Sequence, residues 1–217
     1  MERIGSAQDV FTHYYRTNRW GSEESRSGAG STLAYTENLR KELPSLLQRL
    51  KVQVFLDAPC GDYNWFHHVS RPGVRYIGGD IVRDLVDDNV RNYGADDTRF
   101  IQLDITRDRL PQADIWLCRD VLFHLSYADA TQAIENFLTS DIPWLLTTTH
   151  PNRDCNRDIP TGSFRELNLC LPPFNFPPPQ VAIDDWIEGF PVRQLGLWSR
   201  EDLQAISKQI GRAEVTK

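Results

Sequence analysis

The chain has 217 residues, enough for one sizeable hydrophobic core, and a single domain is the natural expectation at that length. Hydrophobic residues make up 40% and charged residues 25%, the balance of an ordinary globular protein. The net charge of −6, with scattered Arg and no basic run, argues against a nucleic-acid partner and favours a small-molecule or neutral substrate.

No stretch approaches the roughly 20 apolar residues that a membrane-spanning helix needs, so no membrane partner is expected. The opening MERIGSAQDVF is acidic and polar, without the apolar centre of a signal peptide, and a cytoplasmic location is expected. The four cysteines, Cys60, Cys118, Cys155 and Cys170, are too few and too dispersed for a disulfide framework. They form no C-x-x-C pair, no metal-ligand cluster accompanies them, and no metal site is expected.

Residues 6–50 read as two helices around a small-residue loop, GSEESRSGAGS (21–31), and residues 1–50 as a helical cap or lid on a core of 51–217. From Val52 onward, short apolar runs alternate with helical patterns. QVFLDAP (53–59), RYIGGDIV (75–82), RFIQLDIT (99–106), DIWLCRDVL (114–122) and WLLTTTH (144–150) read as strands apolar on both faces, as parallel strands covered by helices are. Between them, 83–92 reads as a helix ending at Gly94. Ser126 and Asp129 look like a capping pair ahead of Ala130, Ile134, Phe137 and Leu138 at helical spacing. Residues 151–180 are rich in Pro and Asn, and LPPFNFPPP (171–179) is non-helical. RQLGLW (193–198) then offers a strand and Arg200–Ile210 a helix. The alternation predicts an α/β fold with right-handed crossovers and a doubly wound, mostly parallel sheet.

In such a sheet, ligands collect at the carboxyl ends of the strands. The first strand ends in DAPCGD, with Asp57, Ala58, Cys60, Gly61 and Asp62. Gly61 lets a ligand approach the backbone, and the helix expected after it offers free N–H groups. Strand two ends in Asp80 and Ile81, strand three in Asp104 and Ile105, and strand four in Arg119 and Asp120. Any one acid alone could simply cap the next helix; four in register point to a ligand. A dinucleotide site would show G-x-G-x-x-G, to bring bare backbone against pyrophosphate, and only Gly61 stands here. One glycine among acids suits a cationic nucleoside without phosphate, which S-adenosylmethionine is.

DAPCGD, GGD, LDIT and CRDVLFHLS resemble the successive cofactor motifs of class I S-adenosylmethionine-dependent methyltransferases, over roughly residues 52–150. WGSEESRSGAGS resembles a bacterial subgroup, several of whose members modify sugars or other small metabolites. The resemblance implies that Asp57 and Gly61 meet the methionine end, Asp80 the ribose hydroxyls, and Asp104 with Ile105 the adenine. Trp20, Ala58, Cys60, Asp62, Ile81 and Arg119 are further expected cofactor contacts. The second and third glycines of the family's usual pattern are missing, which leaves the contacts of Ala58, Pro59 and Asp62 open.

Methyl transfer asks mainly for alignment. A hydroxyl acceptor also needs a base, for which Asp120, His124 and His150 are candidates. Asp120 could instead cap a helix or contact the cofactor, and His124 could be a packing histidine within VLFHL. The polar loop 149–168, with Asn156, Asp158 and Arg165, could hold a polyhydroxylated, sugar-like substrate or simply be a solvated loop. Trp20 could close over the sulfonium by cation–π attraction or anchor the linker. LPPF (171–174) imitates the motif of amino methyltransferases, but it follows strand five and lacks the polar leading residue, so it reads as a turn. A nicotinamide-dependent oxidoreductase and a non-catalytic methyltransferase-like binding module remain as alternatives. The acceptor atom and the oligomeric state are left open.

Overall fold

The computed structural model of the protein describes residues 5–205. Helices α1 (Ala7–Thr17) and α2 (Glu37–Arg49) precede β1 (Val54–Asp57), β2 (Arg75–Asp80), α3 (Arg83–Tyr93), β3 (Thr98–Gln102) and β4 (Ile115–Cys118). Then follow α4 (Tyr127–Thr139), β5 (Trp144–Thr149), β6 (Val181–Asp184) and β7 (Gln194–Ser199). The strands form one seven-stranded sheet in the order β3-β2-β1-β4-β5-β7-β6. β1 to β5 are mutually parallel, and β7 runs antiparallel between β5 and β6. This is the doubly wound, mostly parallel sheet expected, with a helical N-terminal segment.

Side chains alternate across a strand, so each strand feeds two cores. Phe55, Ile115, Leu117 and Leu146 face one layer, where α2 contributes Leu39, Leu43, Leu46 and Leu47 and α3 contributes Leu85 and Val86. Leu56, Trp116, Cys118 and Leu145 face the other, against Ala130, Ala133, Ile134 and Phe137 of α4. Each fully buried Leu or Phe contributes about 1.5–3 kcal/mol, which is why both faces of the central strands read as apolar. α2 thus belongs to a core layer, whereas α1 rests on α3 through Tyr15 Oη to Asp88 (2.6 Å) and Arg16 to Asp84 (2.7 Å).

Two local expectations change, and two hold with a difference of detail. β6 is absent from the sequence reading because it is four residues long, lies at the sheet edge and buries only Ile183. No α-helix follows β1: the connection to β2 holds only a 3₁₀ turn at Phe66–His68. The capping pair is present, with Ser126 Oγ accepting from the Asp129 N–H (3.1 Å), while the Asp129 carboxylate takes the Thr161 hydroxyl. Gly94 caps α3 at φ −59, so no left-handed turn requires it; a Cβ there would instead meet the Val90 carbonyl at 2.6 Å. A helix begins at residue 200, and its expected run to Ile210 passes beyond the described residues. Among the described residues no helix is long and apolar enough to cross a membrane, and no group of three or more His, Cys, Asp or Glu could hold a metal.

Candidate active site

A cavity of about 400 Å³ lies over the carboxyl ends of β1 to β5. Asp57, Asp80, Asp104, Asp120 and His150 reach its wall from the successive strand ends, and Cys60, Gly61, Ile81, Ile105 and Arg119 line it beside them. Further wall comes from Trp20, residues 26–31, Phe190, Pro191 and Arg193. The parallel register brings these residues together although they are spread over the chain.

The acids cap local backbone and face the cavity at once. Asp80 accepts from the N–H of Val82 (3.0 Å) and of Gly61 (3.2 Å), and Asp104 Oδ1 accepts from the Thr106 N–H (2.9 Å). Asp57 is 3% exposed and its carboxylate has the Tyr76 hydroxyl as partner at 2.8 Å. Burial pushes the Asp57 pKa from 3.8 up to about 7, against the opposing pull of Tyr76 and Arg119. Burial likewise raises Asp80 to about 6, against the N–H groups of Val82 and Gly61. Two carboxyls so poorly compensated favour a cationic visitor.

The first turn has no N–H groups left for an anion. Cys60 N–H donates to the Gly79 carbonyl (2.8 Å), Gly61 N–H to Asp80, and Asp62 N–H to Ser27 Oγ (2.9 Å). The free helix N-terminus expected there does not exist. Gly61 sits at φ +55, and a Cβ would collide with Ser27 Oγ, so it is the N-terminal loop that needs the bare backbone. Asp62 does not line the cavity. Its carboxylate accepts from Ser25 Oγ (2.9 Å), the Arg26 N–H (2.7 Å) and Ser27 Oγ (3.2 Å), pinning residues 25–27 over the first turn.

Hydrogen bonding separates the three base candidates. Asp120, at φ +56, accepts from Arg193 (2.9 Å) and Thr148 Oγ1 (3.2 Å) and lies 3.3 Å from Arg119. Burial raises its pKa, but Arg119 and Arg193 outweigh that and hold it below the usual range, and both its oxygens are engaged, Oδ2 by Arg193 and Oδ1 by Thr148. His150 Nδ1 accepts from the Leu167 N–H (3.1 Å), and burial lowers its pKa to about 4. Its proton therefore sits on Nε2, which makes it a donor. His124 is the converse case: Nδ1 lies 2.7 Å from the Ser163 carbonyl, an acceptor, so Nδ1 carries the proton and Nε2 keeps a free lone pair. Burial lowers the His124 pKa to about 4 as well, which keeps it neutral.

Several expected contacts lie outside the cavity. Ala58 is fully buried and its carbonyl accepts from Trp116 Nε1 (2.8 Å). Asn156 staples its own loop, donating to the carbonyls of Asn168 (2.8 Å) and Pro172 (2.9 Å). Asp158 accepts from the Tyr127 N–H (2.7 Å) at the start of α4. Arg165 is buried over the Tyr127 ring at 4.9 Å and donates to the Leu125 carbonyl. None of the three lines the cavity, to which the loop contributes His150 and Phe164 instead.

Arg119 lines the cavity, but its guanidinium grips Asp185 through two bonds (2.9 and 2.8 Å) and the Gly30 carbonyl (2.7 Å). Arg193 completes this buried network by bonding Asp120 and the Asp185 carbonyl (2.8 Å). Two arginines and two aspartates cancel in charge. Sequence reasoning missed Arg193 and Asp185 because no local pattern marks them: Arg193 lies 73 residues from Asp120.

No protein-family model matches the chain, and no curated protein sequence matches it. Solved structures do. The magnesium protoporphyrin IX methyltransferase of Synechocystis, with bound S-adenosylmethionine, aligns over 92% of this chain and 100% of its own, at 15% identity and TM-score 0.60. The Burkholderia thailandensis 1,6-didemethyltoxoflavin-N1-methyltransferase, with bound substrate and S-adenosylhomocysteine, aligns over 89% and 86%, at 14% identity and TM-score 0.60. The N-methyltransferase NodS of Bradyrhizobium japonicum aligns over 76% and 98%, at 16% identity and TM-score 0.53. The chain therefore has the Rossmann-like fold of the class I S-adenosylmethionine-dependent methyltransferases.

Proposed function

We propose that the protein transfers a methyl group from S-adenosylmethionine to a small molecule, at oxygen. The observation that carries this is the wall of carboxyls over β1–β3, buried at Asp57 and Asp80, beside a first turn whose N–H groups are all engaged. Such a wall repels pyrophosphate and suits a cation. The structural neighbours crystallised with S-adenosylmethionine or S-adenosylhomocysteine support the same choice. When bound, the cofactor supplies an electrophilic methyl carbon on a sulfonium. Asp57 holds the methionine ammonium, Asp80 accepts from the ribose hydroxyls, and Asp104 with Ile105 borders the adenine. Asp62 holds the 25–27 loop in place, and Trp20 closes the cavity against water. His124 Nε2 takes the acceptor proton, while His150 Nε2–H orients the acceptor.

Calorimetric titration with S-adenosylmethionine is the first test, and no binding at high micromolar cofactor would remove the proposal. Asp80→Ala is expected to weaken binding by roughly 1.5–3 kcal/mol, the range of a charged hydrogen bond. An unchanged affinity would refute the ribose role.

Affinity is also expected to depend on pH. With its folded pKa raised from 3.8 to about 7, Asp57 stabilises the ligand-free fold below its ordinary value and loses that contribution as pH rises through this window. A cation binds the ionised form, so cofactor affinity increases with pH and falls about tenfold per unit below the Asp57 pKa. Titrations in buffers of different ionisation enthalpy would register the released proton near pH 6. A pH-independent affinity, or Asp57→Asn with the wild-type profile, would contradict this.

A further inference from the structure

We propose, building on the methyltransferase reading above, that the acceptor end of the cavity is built for a flat aromatic molecule, seated among Trp20, Phe123, Phe164 and Phe190 with its hydroxyl at His124 Nε2. Beyond Asp120 the wall is a connected set of rings. Trp20 meets His124 at 4.8 Å between centroids, His124 meets Phe164 at 5.8 Å, and Phe164 meets Phe123 at 5.5 Å. Tyr35 meets Phe190 at 5.1 Å, and the planar Arg193 guanidinium links the two groups, 4.7 Å from the Tyr35 ring and 5.9 Å from Phe123. These separations are those at which rings attract edge to face or offset, so an added ring meets the same preference on several sides.

Exposure supports the same assignment. Phe164 is 51% and Phe190 43% exposed, although both line the cavity. Large apolar side chains left uncovered around a concavity mark a surface awaiting an apolar ligand. A polyhydroxylated acceptor would need a polar partner for each buried hydroxyl. Asp120 and Arg193 already satisfy each other, and Asn156, Asp158 and Arg165 are bonded elsewhere. His150 Nε2–H and the neutral His124 remain, enough to orient one or two polar groups on a ring.

The test titrates 2-naphthol and, separately, methyl glucoside into protein saturated with S-adenosylhomocysteine. Naphthol is expected to bind and methyl glucoside to give no heat. Phe164→Ala and Phe190→Ala should each weaken naphthol about three- to tenfold, as the loss of one aromatic contact does, with S-adenosylhomocysteine affinity unchanged. Both positions are half exposed, so the fold tolerates truncation there. Preference for methyl glucoside, absence of naphthol binding, or naphthol affinity unaltered when Phe164→Ala and Phe190→Ala are combined would each overturn the aromatic assignment alone. Failure to bind S-adenosylhomocysteine would instead overturn the methyltransferase reading beneath it.

Discussion

Replacing Arg119 by Met is expected to cost about 3–5 kcal/mol of folding stability, measured by urea denaturation, because it strands a buried charge. The Arg119 side chain is 4% exposed and the Asp185 side chain 0%, and the bonds between them are the main compensation for burying both. Met fills the volume but leaves Asp185 with Arg193 alone, at 3.5 Å. Desolvation of the orphaned carboxylate then outweighs the packing recovered. Arg119→Met with Asp185→Leu removes both charges, so the double variant should be more stable than the single one. That non-additivity separates charge burial from lost packing. The Gly30 carbonyl also loses its donor, so the single variant should bind cofactor more weakly as its loop loosens. A single-variant loss below about 1 kcal/mol would show that the network is not a desolvated one.

His124→Asn is expected to lower kcat by about a hundredfold or more, the scale of general-base catalysis, with cofactor affinity unchanged. The substitution is chosen for its geometry. The Asn amide can still donate to the Ser163 carbonyl as Nδ1–H does (2.7 Å), while the atom corresponding to Nε2 is gone. A packing histidine would tolerate that exchange with little loss of rate. With a pKa of about 4, His124 stays unprotonated through the physiological range, so kcat should show no histidine limb near pH 6.5. The pH dependence should appear instead in the KM for S-adenosylmethionine, through Asp57. A kcat limb near 6.5 that vanishes in the Asn variant would contradict the depressed pKa. An Asn variant of wild-type rate would remove His124 as base.

The central strands were legible because both faces of each are buried. Phe55 and Leu56, Trp116 and Leu117, and Leu145 and Leu146 each divide between the two cores. β6 was not legible, since one buried residue at an edge leaves no periodicity. The acids at strand ends were legible as a set, and all four line the cavity. The same residue types serve the fold in the 149–168 loop. Asn156 and Asp158 look equally suited to holding a polar ligand, yet their hydrogen bonds hold the loop and α4 together.

The sequence alone determined the five parallel strands, the helices α3 and α4 between them, and which acids stand at the sheet's carboxyl edge. Those follow from local periodicity and from turns of a few residues. Tertiary structure decided which polar atoms remain free. Ser27 occupies the Asp62 N–H, Leu167 fixes the His150 tautomer, Ser163 fixes that of His124, and Asp185 claims Arg119. Each of these partners lies 17 to 66 residues away. A hydrogen bond consumes a specific donor and acceptor across that gap, so only the folded chain shows what each side chain still has to offer a ligand.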